Sequence, residues 1–315
     1  MRYYLTFVAA MLLPSSYVLA EEISVKHLPE EKKVQVKIGG KIFNEYLYGN
    51  ASKPIIYPII GPHEIPMTRN FPMKKGVEGE ATDHPHHQSM HFNHPINGVD
   101  FWHGKKSRIR NDKIVKAEVE KGQSLIVSQN SWLSGEKIIC TDTTEIRSGL
   151  TEGGRFIDYK VTVHASHGDI KFEDTKEGSM SIRTHPALRL QGKVAKGKAI
   201  NSEGVTGKAV WGKIAKWVDY WGPIGDKTVG VAIFDHPDNP RHPTTWMARD
   251  YGMVNVNPFG KSAFKRGEGA MSVSNGKSVT FAYRFYFHKG TNKEADIPKH
   301  YKKWSETFVQ KSLYK

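Results

Sequence analysis

Between residues 113 and 166 the chain alternates apolar, often β-branched, side chains with polar ones, and breaks only at turn residues such as Lys121-Gly122 and Glu152-Gly153-Gly154. A period of two sends successive side chains to opposite faces of a strand, so such a run folds as half-buried β-structure and not as helix. It divides into segments 113–121, 124–132, 137–148 and 155–166, whose even spacing predicts a meander within a sandwich or barrel. Lys33 to Ile38, the pair Gly39-Gly40 and residues 41–48 predict a hairpin. Four prolines between Pro54 and Pro66 leave room for one short strand and loops. Residues 180–190, 227–235 and 276–288 add further strands. Only residues 292–308 carry a helical pattern, interrupted by Pro298. The expected fold is all-β, a large antiparallel β-sandwich closed by a C-terminal helix.

The first twenty residues have a different character. Arg2, the apolar stretch Leu5 to Leu13 and small residues ending at Ala20 make a secretory signal peptide, too short to span a membrane. The expected organisation is a signal peptide over 1–20 and one β-sandwich domain over 21–315, exported to the periplasm or the cell exterior. Cys140 is the single cysteine, which excludes an internal disulfide, and its apolar neighbours mark it as core. The formal charge is +14. Export argues against nucleic acid as the partner, and an anionic polysaccharide or cell-surface polymer matches the charge better. There is no Gly-rich phosphate loop and no Gly-x-Ser-x-Gly elbow, which disfavours nucleotide cofactors and serine hydrolysis.

Histidine is concentrated in one place. Asp83-His84-Pro85-His86-His87 runs through His91 to His94, so five of the fifteen histidines lie within eleven residues. If the run is extended, His84, His86 and His94 share one face and His87 and His91 the other. If it is helical after Pro85, His87, His91 and His94 share a face. Either way imidazoles converge, in a general acid/base site or a metal site, unless the run is a loop of solvated rings. The spacing fits no standard zinc motif; His84, His86 and His91 are the ligands a divalent metal would use.

Other stretches add polar and aromatic groups. Arg69 sits in a proline-rich loop ahead of the histidines, and Asn97 to Trp102 follows them with Asp100. Asp174, Lys176 and Glu177 precede Arg183 and His185, which a strand would point to one face. Asp235-His236-Pro237 leads to Trp246, Arg249, Asp250 and Tyr251, and then to Asn257. Aromatic rings cover the C–H face of a sugar while Arg, Asp and Asn bind its hydroxyls. The simpler alternatives are a core tryptophan and a structural Arg249–Asp250 pair.

Taken together, Tyr57-Pro58 with Gly61-Pro62, Arg69, Asp83 to His87, Asn97 to Trp102, Asp174 to Gly178, Ile182-Arg183, Asp235-His236-Pro237, Trp246 to Gly252 and Asn257 to Gly260 resemble the exported bacterial family labelled methane oxygenase PmoA. Gln88-Ser89, Thr184-His185 and Met247 depart from its pattern. A methane monooxygenase subunit crosses the membrane several times and this chain has no such run, so methane oxidation is excluded. The resemblance implies a supersandwich like galactose mutarotase and a role in carbohydrate breakdown.

The expected function is that of a secreted carbohydrate-active enzyme, a lyase, epimerase or glycoside hydrolase. His86, His87 and His91 are its candidate acid/base groups, with Asp83 and Glu177 as partners. Arg69, Asp100, Trp102, Lys176, Arg183, His185, His236, Trp246, Arg249, Asp250 and Asn257 are its candidate substrate contacts. Ordinary glycosidases need two carboxylates set across the bond, and the carboxylates here are scattered. A non-catalytic carbohydrate-binding protein and a metal-dependent enzyme are the alternatives.

Overall fold

The alternation seen in the sequence builds a four-strand antiparallel meander, Ser107–Glu120, Gln123–Ser134, Lys137–Thr151 and Gly154–His164. In the computed structural model, which describes residues 21–307, this meander is half of an eight-stranded sheet. Ser278–Lys289 pairs with Gly154–His164 and is followed outward by Lys227–Asp235, Trp217–Ile224 and Lys198–Asn201. The expected signal peptide lies outside the described residues.

The second sheet has nine strands. In spatial order they are Ile23–Leu28, Lys33–Ile38, Lys41–Leu47, Ile55–Ile59, Met90–Asn93, Ser179–Arg183, Met253–Asn257, Thr244–Ala248 and Ile214–Ala215. The predicted hairpin is there, with a register irregularity after Val36. A short ribbon, Ile170–Phe172 with Met271–Val273, flanks the sheets.

The two sheets face each other across one apolar core. Phe43 meets Phe287 at 6.3 Å between ring centres, and Phe92 meets Trp132 and Phe281 at 6.3 and 5.7 Å. Each such ring, fully buried, contributes about 1.5–3 kcal/mol. Some polar groups that enter the core find donors or acceptors across it: Asn44 donates to Ser148 and Tyr46 to Ser128, each at 3.1 Å. Cys140 is buried in this core, as expected.

The outer faces differ. Helix Ile297–Thr307 covers the eight-stranded sheet, with Trp304 packed among Trp217, Phe234 and Tyr286. Pro298 does not break this helix. It lies in the first turn, where the missing N–H has no partner to lose. The outer face of the nine-stranded sheet is polar, and it carries the site.

Candidate functional site

Strand parity makes the floor. Met90 and Phe92, Met180 and Ile182, Val254 and Val256, and Trp246 and Ala248 point into the core. Their alternates therefore point out. Pairing registers align four of these in one transverse row, His91 beside Ser181, Ser181 beside Asn255 and Asn255 beside Met247. Asn93 and Ser179 form the next row, and Arg183 lies beside Met253.

Two segments roof this floor. Asn93 donates to the Phe101 carbonyl at 2.7 Å, which folds the 97–103 segment back over the sheet and buries Trp102. The histidine run forms the second. It is neither the extended run nor the helix expected: His84 to Gln88 is irregular, and only Met90–Asn93 is strand. Arg69 fixes it. Its guanidinium donates to the carbonyls of Ala81, Asp83, His84 and His87 and to the Asp83 carboxylate. His84 is held with φ at 46°, in the left-handed region that a bulky residue adopts only when its surroundings impose it.

Rings then converge. His86 meets His87 edge-on at 4.3 Å and His103 at 4.5 Å. His87 and His91 approach Trp102 at 5.5 and 5.7 Å. His84, His87 and Tyr251 are nearly parallel, with His84 at 4.8 Å from His87 and 5.6 Å from Tyr251. His87 and His91 are 1% exposed, so the cluster is closed over.

Burial sets the charge states. It is the main reason that the His86 imidazole is pushed down to about 4, with the positive groups of His103 and Lys53 adding to it. The same cause holds His87 and His91 well below the ordinary histidine value. These imidazoles are therefore neutral at pH 7. His91 Nδ1 lies 3.0 Å from the Gln88 carbonyl oxygen, which can only accept, so Nδ1 carries the proton and Nε2 presents a lone pair.

Many polar atoms here are buried without a partner: both nitrogens of His87, His91 Nε2, Trp102 Nε1, Asn93 Oδ1, Ser181 Oγ, Asn255 Oδ1 and Arg183 Nη1. Buried polar groups are nearly always paired, and each orphan costs about 1–3 kcal/mol. A concentration of them on one face and its roof is the mark of a surface made to meet something else.

Asp83 stands at the rim. Partial burial pushes its carboxyl up, but His84 with Arg183 and Arg69 outweighs this and holds it below the usual range. Lys53, which the sequence reading did not single out, lies beneath the roof. Its ammonium donates to the His86 carbonyl at 3.1 Å, and burial pushes it down to about 7.

Several expected site residues are elsewhere. Trp246 is no stacking platform: it faces the core, is fully buried and donates to the Ala215 carbonyl. His185 does not share a face with Arg183, because the strand ends at Arg183 and His185 accepts from the Ala187 N–H to cap a short turn. His236 packs against Trp304 of the C-terminal helix at 5.1 Å. Asn257 is tied to the Thr175 carbonyl and the Phe259 and Gly260 amides. Asp100 binds the His103 ring at 2.7 Å on the exposed rim, and Lys176 is exposed. Glu177 is near enough to Tyr251 for its charge to act on the phenol. Arg249 and Asp250 line a pocket of 220 Å³ with Lys208, Trp211 and Ala248.

The metal set His84, His86 and His91 does not meet as ligands. His84 Nδ1 is held by Asp83 and His91 Nδ1 by Gln88. Among the described residues no three His, Cys, Asp or Glu side chains are grouped to hold a metal ion.

The fold and this outer face define a two-sheet antiparallel sandwich with a histidine-roofed polar floor. The chain belongs to a family described as of unknown function, DUF6807, whose model matches residues 33–302. That description carries no methane-oxygenase label, so the label drawn from the resemblance has no support. No curated protein matches the chain in sequence. Among solved structures, a galactose mutarotase-like protein from Clostridium acetobutylicum is 8% identical, with 86% of this chain and 99% of that one covered at a TM-score of 0.37. The galactosidase domain of an alpha-galactosidase–sucrose kinase is 10% identical, covering 85% and 42% at 0.42. A galactose mutarotase-like protein from Lactobacillus casei is 9% identical, covering 84% and 100% at 0.35.

Proposed function

We propose that this is an exported carbohydrate-active enzyme, working in the periplasm or outside the cell, that binds a sugar on the floor of His91, Ser181 and Asn255. His91 Nε2 acts as the general base and His87 as the second proton-transfer group. The reading rests on one observation, the set of unpartnered buried polar atoms on the outer face of the nine-stranded sheet and its histidine roof. Sugar hydroxyls both donate and accept, and such a mixture of Asn and Ser oxygens, imidazole nitrogens and an indole N–H is complementary to them.

Neutral imidazoles suit proton abstraction from carbon or proton shuttling between two faces of a ring. The floor itself offers no carboxylate, which favours lyase or epimerase chemistry over hydrolysis between two carboxylates. Access requires the His84–Tyr251 layer to part, since the histidines beneath it are covered.

The test is thermal stabilisation of the mature protein by a panel of neutral and acidic saccharides, with turnover followed in parallel. Binding to the native state raises the unfolding midpoint by mass action. A saccharide that stabilises wild type and the His87→Gln variant, but is converted by wild type alone, is the expected result. A panel in which no saccharide shifts the midpoint overturns the reading.

A further inference from the structure

Charge is unevenly compensated at the edge of this site. Arg69 and Arg183 are 2% and 1% exposed, and both lean on one carboxylate. Asp83 Oδ1 accepts from Arg69 at 2.7 Å and from Arg183 at 3.3 Å, while its other oxygen receives the His84 ring at 2.7 Å. Arg69 has four carbonyls besides. Arg183 has little more than the long contact to Asp83, and its Nη1 is buried without a partner.

A second guanidinium converges on the same point. Arg183 lies 4.6 Å from the centre of the Tyr251 ring and Arg249 lies 5.2 Å from it. Arg249 is also stacked on Trp211 at 4.4 Å, and its Nε is buried without a partner. Asp250 beside it turns to Lys208 at 3.5 Å. Among the described residues no carboxylate forms an ion pair with Arg249: Glu177 reaches this corner only through its charge on Tyr251, and Asp83 is already divided among three partners. Aromatic faces offset part of the cost of removing a guanidinium from water, and the Tyr251 hydroxyl accepts one hydrogen bond from Arg249, which still leaves Arg249 Nε and Arg183 Nη1 without acceptors.

We infer that the ligand is an acidic sugar, and that Arg183 and Arg249, which both approach Tyr251, bind its carboxylate. The inference rests on the sugar reading above and narrows it. A guanidinium presents parallel N–H donors whose spacing matches the two oxygens of a carboxylate, and a stacked guanidinium is fixed in the plane it needs. Arg183 Nη1 and Arg249 Nε are the donors left free for it. Arg249 also lines the 220 Å³ pocket with Trp211, Lys208, Ala248 and Asp250, so its side of the clamp faces an open cavity, while Arg183 is reached when the His84–Tyr251 layer parts. Asp83 then has the role of holding Arg183 in place until the ligand arrives.

The consequence for chemistry is direct. A carboxylate clamped between two cations withdraws electrons from the carbon that bears it, and that carbon's proton becomes the one a neutral imidazole can take. Returning a proton to the opposite face inverts the centre. Alternatively the electron pair forms a C=C bond as the C–O bond on the adjacent carbon breaks, and the departing oxygen takes a proton. Neither course needs an oxidant or a further reactant.

Calorimetric titration of the mature protein separates this inference from the broader one. The probes are short oligosaccharides of galacturonate and of glucuronate, their methyl esters, which keep the size and lose the charge, and sulfated neutral oligosaccharides. The expected result is that at least one uronate binds, its methyl ester binds about tenfold more weakly or worse, and Arg249→Gln loses most of that difference. Arg249 is half-buried, so this variant tests the clamp even if Arg183→Gln fails to fold. Equal binding of ester and acid overturns the carboxylate clamp while leaving a sugar site standing. So does binding confined to the sulfated probes. Absence of binding by every probe, together with no stabilisation by neutral saccharides, overturns the sugar site itself.

Discussion

His91 donates its Nδ1 proton to the carbonyl oxygen of Gln88, three residues earlier, at 3.0 Å. This short local bond decides the tautomer of a ring 1% exposed, and it leaves Nε2 with a lone pair and no partner on the face where Ser181 is the cross-strand neighbour.

It follows that His91→Gln keeps the size of the side chain but removes the base. Turnover of a converted saccharide is expected to fall on the order of 10²–10⁴-fold, with saccharide binding within about threefold of wild type. A variant that retains full turnover would take His91 out of the chemistry and leave His87 as the candidate.

Lys53 gives a pH signature. Burial lowers its folded pKa from 10.5 to about 7. Between those values the unfolded chain binds more protons than the native one, so this residue makes stability rise with pH through that window. Its contribution is complete above the unfolded value and lost as pH falls through about 7. Lys53→Met removes the titration, so the stability of wild type relative to Lys53→Met should increase from pH 7 to pH 10 in denaturant melts. A difference that stays flat across that range would mean that Lys53 reaches water.

Asp83→Asn leaves two buried guanidiniums with no counter-charge. Removing one partner of a buried pair costs several kcal/mol, but Asp83 is 40% exposed, so the expected loss is about 2 kcal/mol. Denaturant unfolding of Asp83→Asn and of Asp83→Asn/Arg183→Met measures it. The double variant should be the less damaged of the two, because the orphaned charge at position 183 is gone.

Gly252 has φ at +83°, and a Cβ there would meet Thr184 Oγ1 at 2.5 Å and Arg189 Cγ at 2.9 Å. Gly252→Ala is expected to cost about 1–3 kcal/mol and, by shifting Tyr251, to weaken ligand binding as well. Unfolding curves and a titration on the same sample check both; an unaltered midpoint would show that this turn yields easily.

Much of the fold was legible because period-two alternation is a local property. The hairpin from Lys33 and the meander through His164 were readable strand by strand. The strand Trp217–Ile224 was not, since Gly222 and Pro223 near its end look like a loop. The gathering of His84, His86, His87 and His91 was visible as density in the sequence, but their arrangement was not. It depends on Arg69 reaching 12 to 18 residues ahead. Trp246 shows the limit of composition: parity alone sends it inward and Met247 outward, and the stretch gave no cue to its phase. The floor residues Asn93, Ser181 and Asn255 did carry a signal, polar residues at every second place in otherwise apolar strands. Lys53 carried none, being an ordinary lysine between Ser52 and Pro54 whose burial is created by segments distant in sequence.

The Arg69 clasp binds the roof through main-chain oxygens far more than through side chains. The path of residues 81–87 is therefore set mainly by Arg69, and Asp83 is the one side chain of the segment that shares in the clasp. One arginine thus fixes the course of the loop, and the side chains it does not touch, those of His86 and His87, answer to the floor below them rather than to the loop's shape.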